Sequence, residues 1–89
     1  MKKRTAKKAS AIKKDSPRPP VLNKFGKRLK ELRRLKGHAS QEIFAYEHGF
    51  NRVRYNKWEQ GEDIKLSNLD RICKAMDISL EEFFSEGFD

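Results

Sequence analysis

The side chains between residues 52 and 57 have the types and spacing that the recognition of nucleic-acid bases requires. In a helix that turns about 100° per residue, Tyr55 and Trp58 lie within about 60° of each other and mark the buried side. The opposite side then carries Arg52, Val53, Asn56 and Lys57, with Arg54 on its flank. Arg and Lys donate to guanine O6 and N7, Asn pairs with adenine, and Val contacts the methyl group of thymine. An ordinary solvated helix face is the alternative, and this stretch by itself leaves both interpretations open.

Two short helices joined by a tight turn are needed to position these side chains. Ser40 predicts the start of the first as an N-cap, and Asn51 predicts the start of the second. Between them His48-Gly49-Phe50 interrupts the apolar pattern, and Gly49 is free to take a left-handed conformation. A helix, a short turn with Gly and a second helix form the helix-turn-helix arrangement, which places its second helix in the DNA major groove. That second helix is predicted over about residues 52–59.

A preceding helix is predicted over residues 23–36. Its apolar residues recur at spacings of 4, 3 and 3 and form one inward stripe of Phe25, Leu29, Leu32 and Leu35. The rest of its surface is basic and carries Lys24, Lys27, Arg28, Lys30 and Arg34. Gly37 ends it. If the helix-turn-helix unit binds DNA, some of these cations are expected to lie near a phosphate.

Two further helices are predicted after Gly61. Ser67 is interpreted as the N-cap of a fourth helix. The inward side of that helix is predicted to carry Leu69, Ile72, Cys73 and Met76. Ser79 is interpreted as the N-cap of a short fifth helix.

The apolar residues at the end of the chain exceed what a small core needs. Leu80 and Phe83 are expected to complete the core. Phe84 and Phe88 are candidates for a contact between two copies of the chain, because five short helices can hide only a limited number of aromatic side chains.

The net charge of +8 is unevenly distributed. Residues 1–20 contain eight Lys/Arg and one Asp, and residues 24–60 contain ten Lys/Arg and four acids. Residues 61–89 reverse the balance, with three Lys/Arg and eight acids. A molecule polarised in this way directs its positive end toward a polyanion and keeps its negative end away.

The first residues of the chain read as a basic tail rather than as part of the core. Residues 1–20 show no sustained amphipathic period, and they end in Ser-Pro-Arg-Pro-Pro, which blocks a helix from continuing into the domain. We therefore interpret residues 1–22 as a disordered basic arm and residues 23–89 as one domain. The arm either contacts the DNA backbone or minor groove or serves only as a solubilising tail. A targeting segment is a further alternative, although the apolar stretch of a secretory signal is absent.

Several function classes find no support in the sequence. No apolar run approaches the ~18 residues of a membrane span, and the single cysteine, Cys73, forms neither an internal disulfide nor a zinc cluster. His38 and His48 have no carboxylate or thiol at ligand spacing. No Gly-rich phosphate loop, nucleophile elbow or spaced acid pair is present. We therefore expect no enzyme activity, no cofactor, no metal, no membrane partner and no small-molecule ligand, and a cytoplasmic location.

Residues from about 25 to 84 resemble the Cro/cI-like, or XRE, helix-turn-helix domains of the phage-repressor type. The matching stretches are FGKRLKELRRLKG, SQEIFAYEHGFNRVRYNKWEQG and LSNLDRICKAMDISLEEFF. The family pattern is met by Leu32-Arg33, Ser40-Gln41, Ala45, Gly49 and Glu59-Gln60-Gly61. The ordered set at these spacings carries the resemblance, because no single stretch is specific.

The resemblance implies a role for each matching residue. Gln41 contacts a phosphate or braces the recognition helix. The positions that usually touch bases are matched by Arg52, Val53 and Lys57. The positions that touch the backbone or flanking bases are matched by Arg54 and Asn56. Arg33 and Glu59 match an internal ion pair that ties the first helix to the end of the third.

The expected molecule is an all-α, compact five-helix bundle of the lambda-repressor-like helix-turn-helix type, with a disordered basic N-terminal arm. It is expected to bind double-stranded DNA sequence-specifically, as a homodimer, and to regulate transcription. Two alternatives differ in class: a protein-interaction adaptor or antitoxin that uses Phe84 and Phe88, and an RNA-binding protein that uses the arm. If the protein binds DNA through the predicted residues of the recognition helix, replacing Arg52 or Lys57 by Ala should weaken DNA binding. If it is an adaptor, those substitutions should leave partner binding unchanged, whereas replacing Phe84 by Ala should weaken it.

Overall fold

Every regular element of the protein's computed structural model, which describes residues 18–89, is an α-helix. The helices are α1 (Pro20–Leu35), α2 (Gln41–Glu47), α3 (Arg52–Glu59), α4 (Leu66–Ala75) and α5 (Leu80–Phe83). This order confirms the predicted all-α, five-helix architecture. Residues 1–17 of the predicted basic arm lie outside the described residues.

Side-chain caps begin three of the helices where the sequence predicts them. The Ser40 hydroxyl accepts a hydrogen bond from the Ile43 N–H at 3.2 Å, and the Asn51 side chain accepts one from the Arg54 N–H at 2.9 Å. Ser79 does the same at the start of α5. Each cap satisfies a backbone donor that the first turn of a helix leaves free, which stabilises the helix by ~1 kcal/mol.

The predicted starts of the other two helices were wrong. α1 begins at Pro20, three residues early, because the first position of a helix needs no backbone N–H and tolerates Pro. α4 begins at Leu66, so Ser67 lies inside the helix and does not cap it. The carbonyl of Lys65 already accepts from the backbone N–H groups of residues 68 and 69, at 2.9 and 3.0 Å.

A glycine turn sets the angle at which α3 leaves α2. Gly49 has a φ of 76°, in the left-handed region predicted for it. The Phe50 N–H donates to the Ala45 carbonyl at 2.8 Å, and the Gly49 N–H donates to the Tyr46 carbonyl at 3.3 Å. These two bonds form a Schellman motif, which satisfies the last carbonyls of a helix.

One hydrophobic core draws buried side chains from all five helices. Tyr55 is fully buried and Trp58 is 5% exposed, as the helical pattern predicts, and Cys73 is 1% exposed. The prediction for Leu35 was wrong, because its side chain is 72% exposed. Each step of three residues rotates the stripe by about 60°, so Leu35 has drifted off the inward side of α1 at the helix's last residue.

Arg28 was predicted to lie on the solvated face of α1, and this prediction was also wrong. It is 5% exposed, and its guanidinium donates to the Phe83 carbonyl at 2.8 Å and to the Glu82 carbonyl at 2.9 Å. A third N–H donates to the Glu31 carboxylate at 3.0 Å. Arg28 therefore satisfies the terminal carbonyls of α5 and holds that helix against α1.

α1 crosses the end of α3 with backbone against backbone at Gly26. A Cβ at this position would lie 2.6 Å from the Glu59 carbonyl oxygen and 2.9 Å from the Gly61 nitrogen. Both distances are shorter than a carbon atom tolerates. The absence of a side chain at Gly26 is thus what lets the two helices approach and fixes where α3 ends relative to α1.

The end of the chain divides its apolar residues between core and surface. Phe83 is fully buried, and Leu80 and Phe88 pack against the core while remaining partly exposed. Phe84 is 46% exposed and contacts the ring of Phe88, with ring centroids 4.9 Å apart. No helix between residues 18 and 89 is both long and apolar enough to cross a membrane.

Candidate nucleic-acid interface

α3 presents a polar face to solvent, as its sequence predicts. Exposed side chains on it are Arg52, Val53, Arg54 and Lys57, and Asn56 is half-buried. Val53 is 60% exposed although it is aliphatic. An exposed helix face with cations, an amide and one aliphatic residue offers the donors and the apolar contact that base edges in the major groove require.

Aromatic packing fixes the orientation of this face. The ring of Tyr55 lies 5.4 Å from that of Phe44 in α2 and 6.0 Å from that of Phe50 in the turn. Trp58 meets Phe50 edge to face at 6.0 Å. Because these large rings anchor the opposite side of α3, the helix cannot rotate about its axis without opening the core.

A buried ion pair ties α1 to the end of α3, which confirms the pair implied by the family resemblance. Arg33 donates to the Glu59 carboxylate through two N–H groups, at 2.7 and 3.2 Å, and the two side chains are 2% and 3% exposed. The hydrogen bond from Glu59 raises the pKa of Arg33 above its usual value. Removing one partner of such a pair costs about 3–5 kcal/mol, because the other is left charged and buried.

Gln41 joins this ion pair from the start of α2. Its side-chain amide donates to the same Glu59 carboxylate at 2.8 Å. The first residue of α2 is thereby hydrogen-bonded to the last residue of α3, and one carboxylate connects three helices. Gln41 is half-buried, so part of its surface remains open to a ligand.

The hydroxyl of Tyr55 is buried next to this network without a hydrogen-bond partner among residues 18–89. Burial raises the pKa of Tyr55 far above its usual value, and the negative charge of Glu59 raises it further while Arg33 opposes the change. Tyr55 therefore stays neutral and serves as an apolar anchor.

Two grooves flank α3 and differ in charge. The groove on the side of α1, called here the α1-side groove, is lined among others by Lys30, Arg34, Ser40, Gln41, Asn56 and Gln60. The opposite groove is lined among others by Val53, Arg54, Lys57, Glu62 and Asp63. The first also contains the paired Arg33 and Glu59 and one further acid, Glu42, so its two exposed cations from α1 face one unpaired acid. The second has two cations and two acids.

The predicted site residues are distributed over these surfaces. Gln41 and Asn56 line the α1-side groove, and Arg54 and Lys57 line the opposite one. Arg52 and Val53 line a shallow depression with Ile43 and Tyr46 of α2, both of which are exposed. All six residues thus lie on or beside the face that α3 presents.

Lys30 and Arg34 were predicted to lie on the basic face of α1, where some of the cations were expected near a phosphate, but they were not assigned to the site. Their i, i+4 spacing places them on one stripe of α1 and is the signal available in the sequence. Which stripe faces α3 depends on how the helices cross at Gly26, and no local pattern encodes that crossing.

The two histidines belong to the packing around α2. The ring of His48 lies 4.6 Å from that of Phe44, and the ring of His38 lies 5.0 Å from it on an edge. Within the part of the chain that the structure describes, no group of three or more metal-ligating side chains occurs. The two imidazoles therefore act as flat packing surfaces at the ends of the turns.

Comparison with known proteins adds a family and two relatives. A family model of the Cro/C1-type helix-turn-helix DNA-binding domain matches residues 28–85. Control protein C.MunI of Mycoplasma sp is 39% identical over 64 residues, which cover 71% of this chain and 86% of the relative. The crystal structure of the restriction-modification controller protein C.AhdI from Aeromonas hydrophila is similar with a TM-score of 0.65 and 40% identity, covering 72% of this chain and 97% of that one.

Proposed function

The chain belongs to the Cro/C1-type helix-turn-helix DNA-binding family, whose members regulate transcription and are not enzymes. We propose that it binds its operator through α3. α3 lies in the major groove of double-stranded DNA. Arg52, Val53 and Lys57 contact base edges. Arg54 and Asn56 contact the backbone or flanking bases, and Gln41 contacts a phosphate. The observation that carries this proposal is the exposed polar face of α3 opposite two buried aromatic anchors.

Gln41 has a second role in this proposal. One N–H of its amide is committed to Glu59, and the amide has two N–H groups. The second can donate to a phosphate oxygen while the first keeps α2 attached to the end of α3. A phosphate bound there also tightens the contact between the two helices of the motif.

We further propose that the regulated genes belong to a restriction-modification system. The support is the 40% identity to C.AhdI, a restriction-modification controller protein, over nearly the whole length of that chain. A regulator of such genes acts where the DNA is, which in a bacterium is the cytoplasm.

Binding as a homodimer completes the proposal. Four apolar side chains at the α1–α5 end of the molecule form a continuous surface: Val21, Leu66, Phe84 and Phe88. Val21 is 49% exposed, Leu66 68% and Phe84 46%, and charged side chains are absent from the described residues that line this surface. A patch of this kind is suited to an isologous contact with a second copy. Two recognition helices about 34–36 Å apart would then read the two halves of a symmetric operator.

Selection from a random duplex pool tests the proposal. The full chain is mixed with random-sequence duplexes at about physiological salt, and the bound fraction is sequenced after several rounds. We expect a two-fold symmetric motif. If the same motif occurs in the promoter of restriction-modification genes, those genes are the regulated ones. A single short half-site would contradict dimeric binding, and salt-sensitive binding without any motif would contradict base recognition.

A further inference from the structure

We propose that the α1-side groove is a phosphate clamp, in which Lys30 and Arg34 of α1 hold the backbone of one DNA strand while α3 reads the bases. This inference rests on the proposed function, because it needs α3 in the major groove. It adds two residues to the interface and gives the two flanks of α3 different tasks.

The α1-side groove keeps positive charge that no acid neutralises. Its one deeply placed carboxylate, Glu59, is already neutralised by Arg33 and hydrogen-bonded by Gln41. Lys30 and Arg34 are exposed and form no ion pair with any residue from 18 to 89. The exposed carboxylate of Glu42 also lines the groove. The groove therefore keeps two free cations against one acid and attracts a polyanion.

Lys30 and Arg34 also stand where a DNA strand would pass. The major groove is about 12 Å wide and a helix with its side chains is about 10–12 Å across, so a helix in the groove has a phosphate backbone on each side. Asn56 of α3 and Gln41 of α2 line the same groove as the two cations. A strand that passes along this flank of α3 therefore lies within reach of Lys30 and Arg34.

Positive charge continues beyond the groove. Arg18, just before α1, donates to the backbone carbonyl of Gln60 at 3.2 Å, and Gln60 lines the groove. A cation thus stands at the C-terminal end of α3. On the opposite flank, Arg54 and Lys57 lie beside the acids Glu62 and Asp63, which reduce the net attraction for phosphate. The asymmetry favours the α1 side for the stronger of the two phosphate contacts.

Salt-dependent binding tests the clamp. The full chain and the double variant Lys30→Gln/Arg34→Gln are titrated against the selected operator and an unrelated duplex, at several salt concentrations. Each lost phosphate contact lowers the slope of log Kd against log salt by about 0.9, so we expect a decrease of about 1.8. At about 0.15 M salt, a slope lower by about 1.8 corresponds to a Kd that is about 30-fold higher for the double variant. We expect a similar factor for both duplexes.

The control is Lys74→Gln, which removes an exposed lysine paired with Asp70 on α4 and should leave the slope unchanged. Gln is a good helix former and both clamp residues are exposed, so each single variant should unfold at the wild-type temperature. Each single variant should also show half of the decrease in slope. An unchanged slope for the double variant would overturn the clamp. A loss restricted to the operator would overturn it too, because Lys30 and Arg34 would then read bases. If the wild type selects no motif, the proposed function fails, and the slope on the unrelated duplex still decides the clamp.

Discussion

Arg52 leaves the first turn of α3 with its side chain in solvent, and its planar guanidinium can donate two parallel hydrogen bonds to guanine. We expect Arg52→Ala to cost about 1–3 kcal/mol of discrimination at one base pair of the operator. Titrations against the operator and its single base-pair variants measure this. Lys74→Ala, away from the interface, should change nothing. An equal loss on every sequence would instead identify Arg52 as a phosphate contact.

Tyr55 shows how a buried polar atom limits stability. Its hydroxyl has no hydrogen-bond partner among the described residues, so we expect Tyr55→Phe to stabilise the protein by about 1 kcal/mol at neutral pH. Unfolding by urea measures this difference. A loss of more than 1 kcal/mol would mean that the hydroxyl makes a bond after all.

The pH dependence of that difference has a definite sign. Burial holds the pKa of Tyr55 in the folded protein far above the value of about 10 expected in the unfolded chain. The stability of the wild type is therefore unaffected by this group below pH 10. Above pH 10 the unfolded chain loses a proton that the folded protein keeps, so stability falls with a slope that approaches about 1.4 kcal/mol per pH unit. We expect the advantage of Tyr55→Phe to widen by about 1 kcal/mol between pH 10 and 11, because the unfolded tyrosine is still only half ionised at pH 10.

At the scale of elements, the contact between α1 and the end of α3 depends on one missing side chain. We expect Gly26→Ala to destabilise the protein by about 2–4 kcal/mol, because the new Cβ meets the backbone of residues 59 and 61. Ala is otherwise the better helix former, so the sign itself is informative. Urea unfolding of Gly26→Ala and of Lys27→Ala, an exposed neighbour, separates the two effects. Equal stabilities would show that α1 and α3 can separate without cost.

The sequence predicts those features of the elements that short stretches encode. Ser40, Asn51 and Ser79 cap their helices because a cap involves residues only three positions apart. The burial of Arg28 depends instead on carbonyls more than fifty residues away, which local periodicity does not contain. The exposure of Leu35 follows from the drift of the apolar stripe by the last residue of α1, which the spacing of the stripe alone does not show.

The candidate interface also combines features that short stretches encode with features that depend on residues far apart in the sequence. The face of α3 follows from helical periodicity within a single turn-helix unit. The ion pair between Arg33 and Glu59 spans two helices and was accessible only through the resemblance to a family. The α1-side groove depends on the crossing of α1 and α3 at Gly26. No pattern in the sequence predicts that crossing.

At the scale of the whole molecule, the apolar surface at the α1–α5 end is where a second copy would bind. We expect Phe84→Ser to raise the dimer Kd at least about tenfold while the fold stays intact, because Phe84 is already 46% exposed. Sedimentation equilibrium measures the Kd. Tyr46→Ser, which replaces an aromatic residue that is 85% exposed on α2, is the matched control. A Kd raised equally by both substitutions would contradict this surface.

The basic arm is a second property of the whole chain. Residues 1–17 contain seven Lys/Arg and one Asp. We propose that they contact DNA backbone, and we expect their deletion to lower the slope of log Kd against log salt by several units, since each phosphate contact contributes about 0.9. Titrations of the deletion and of the full chain measure this. A chain without the arm but with the wild-type slope would identify the arm as a solubilising tail.

The buried thiol of Cys73 offers a measure of how often the core opens. It is the only thiol in the chain and is 1% exposed on α4, and burial raises its pKa, so the reactive thiolate is scarce in the folded protein. An alkylating reagent can reach it only while the packing around α4 is open, so the alkylation rate measures how often this part of the core opens. Operator DNA that binds only the folded form makes such openings rarer, and the slower alkylation reports DNA binding from within the core without any added label.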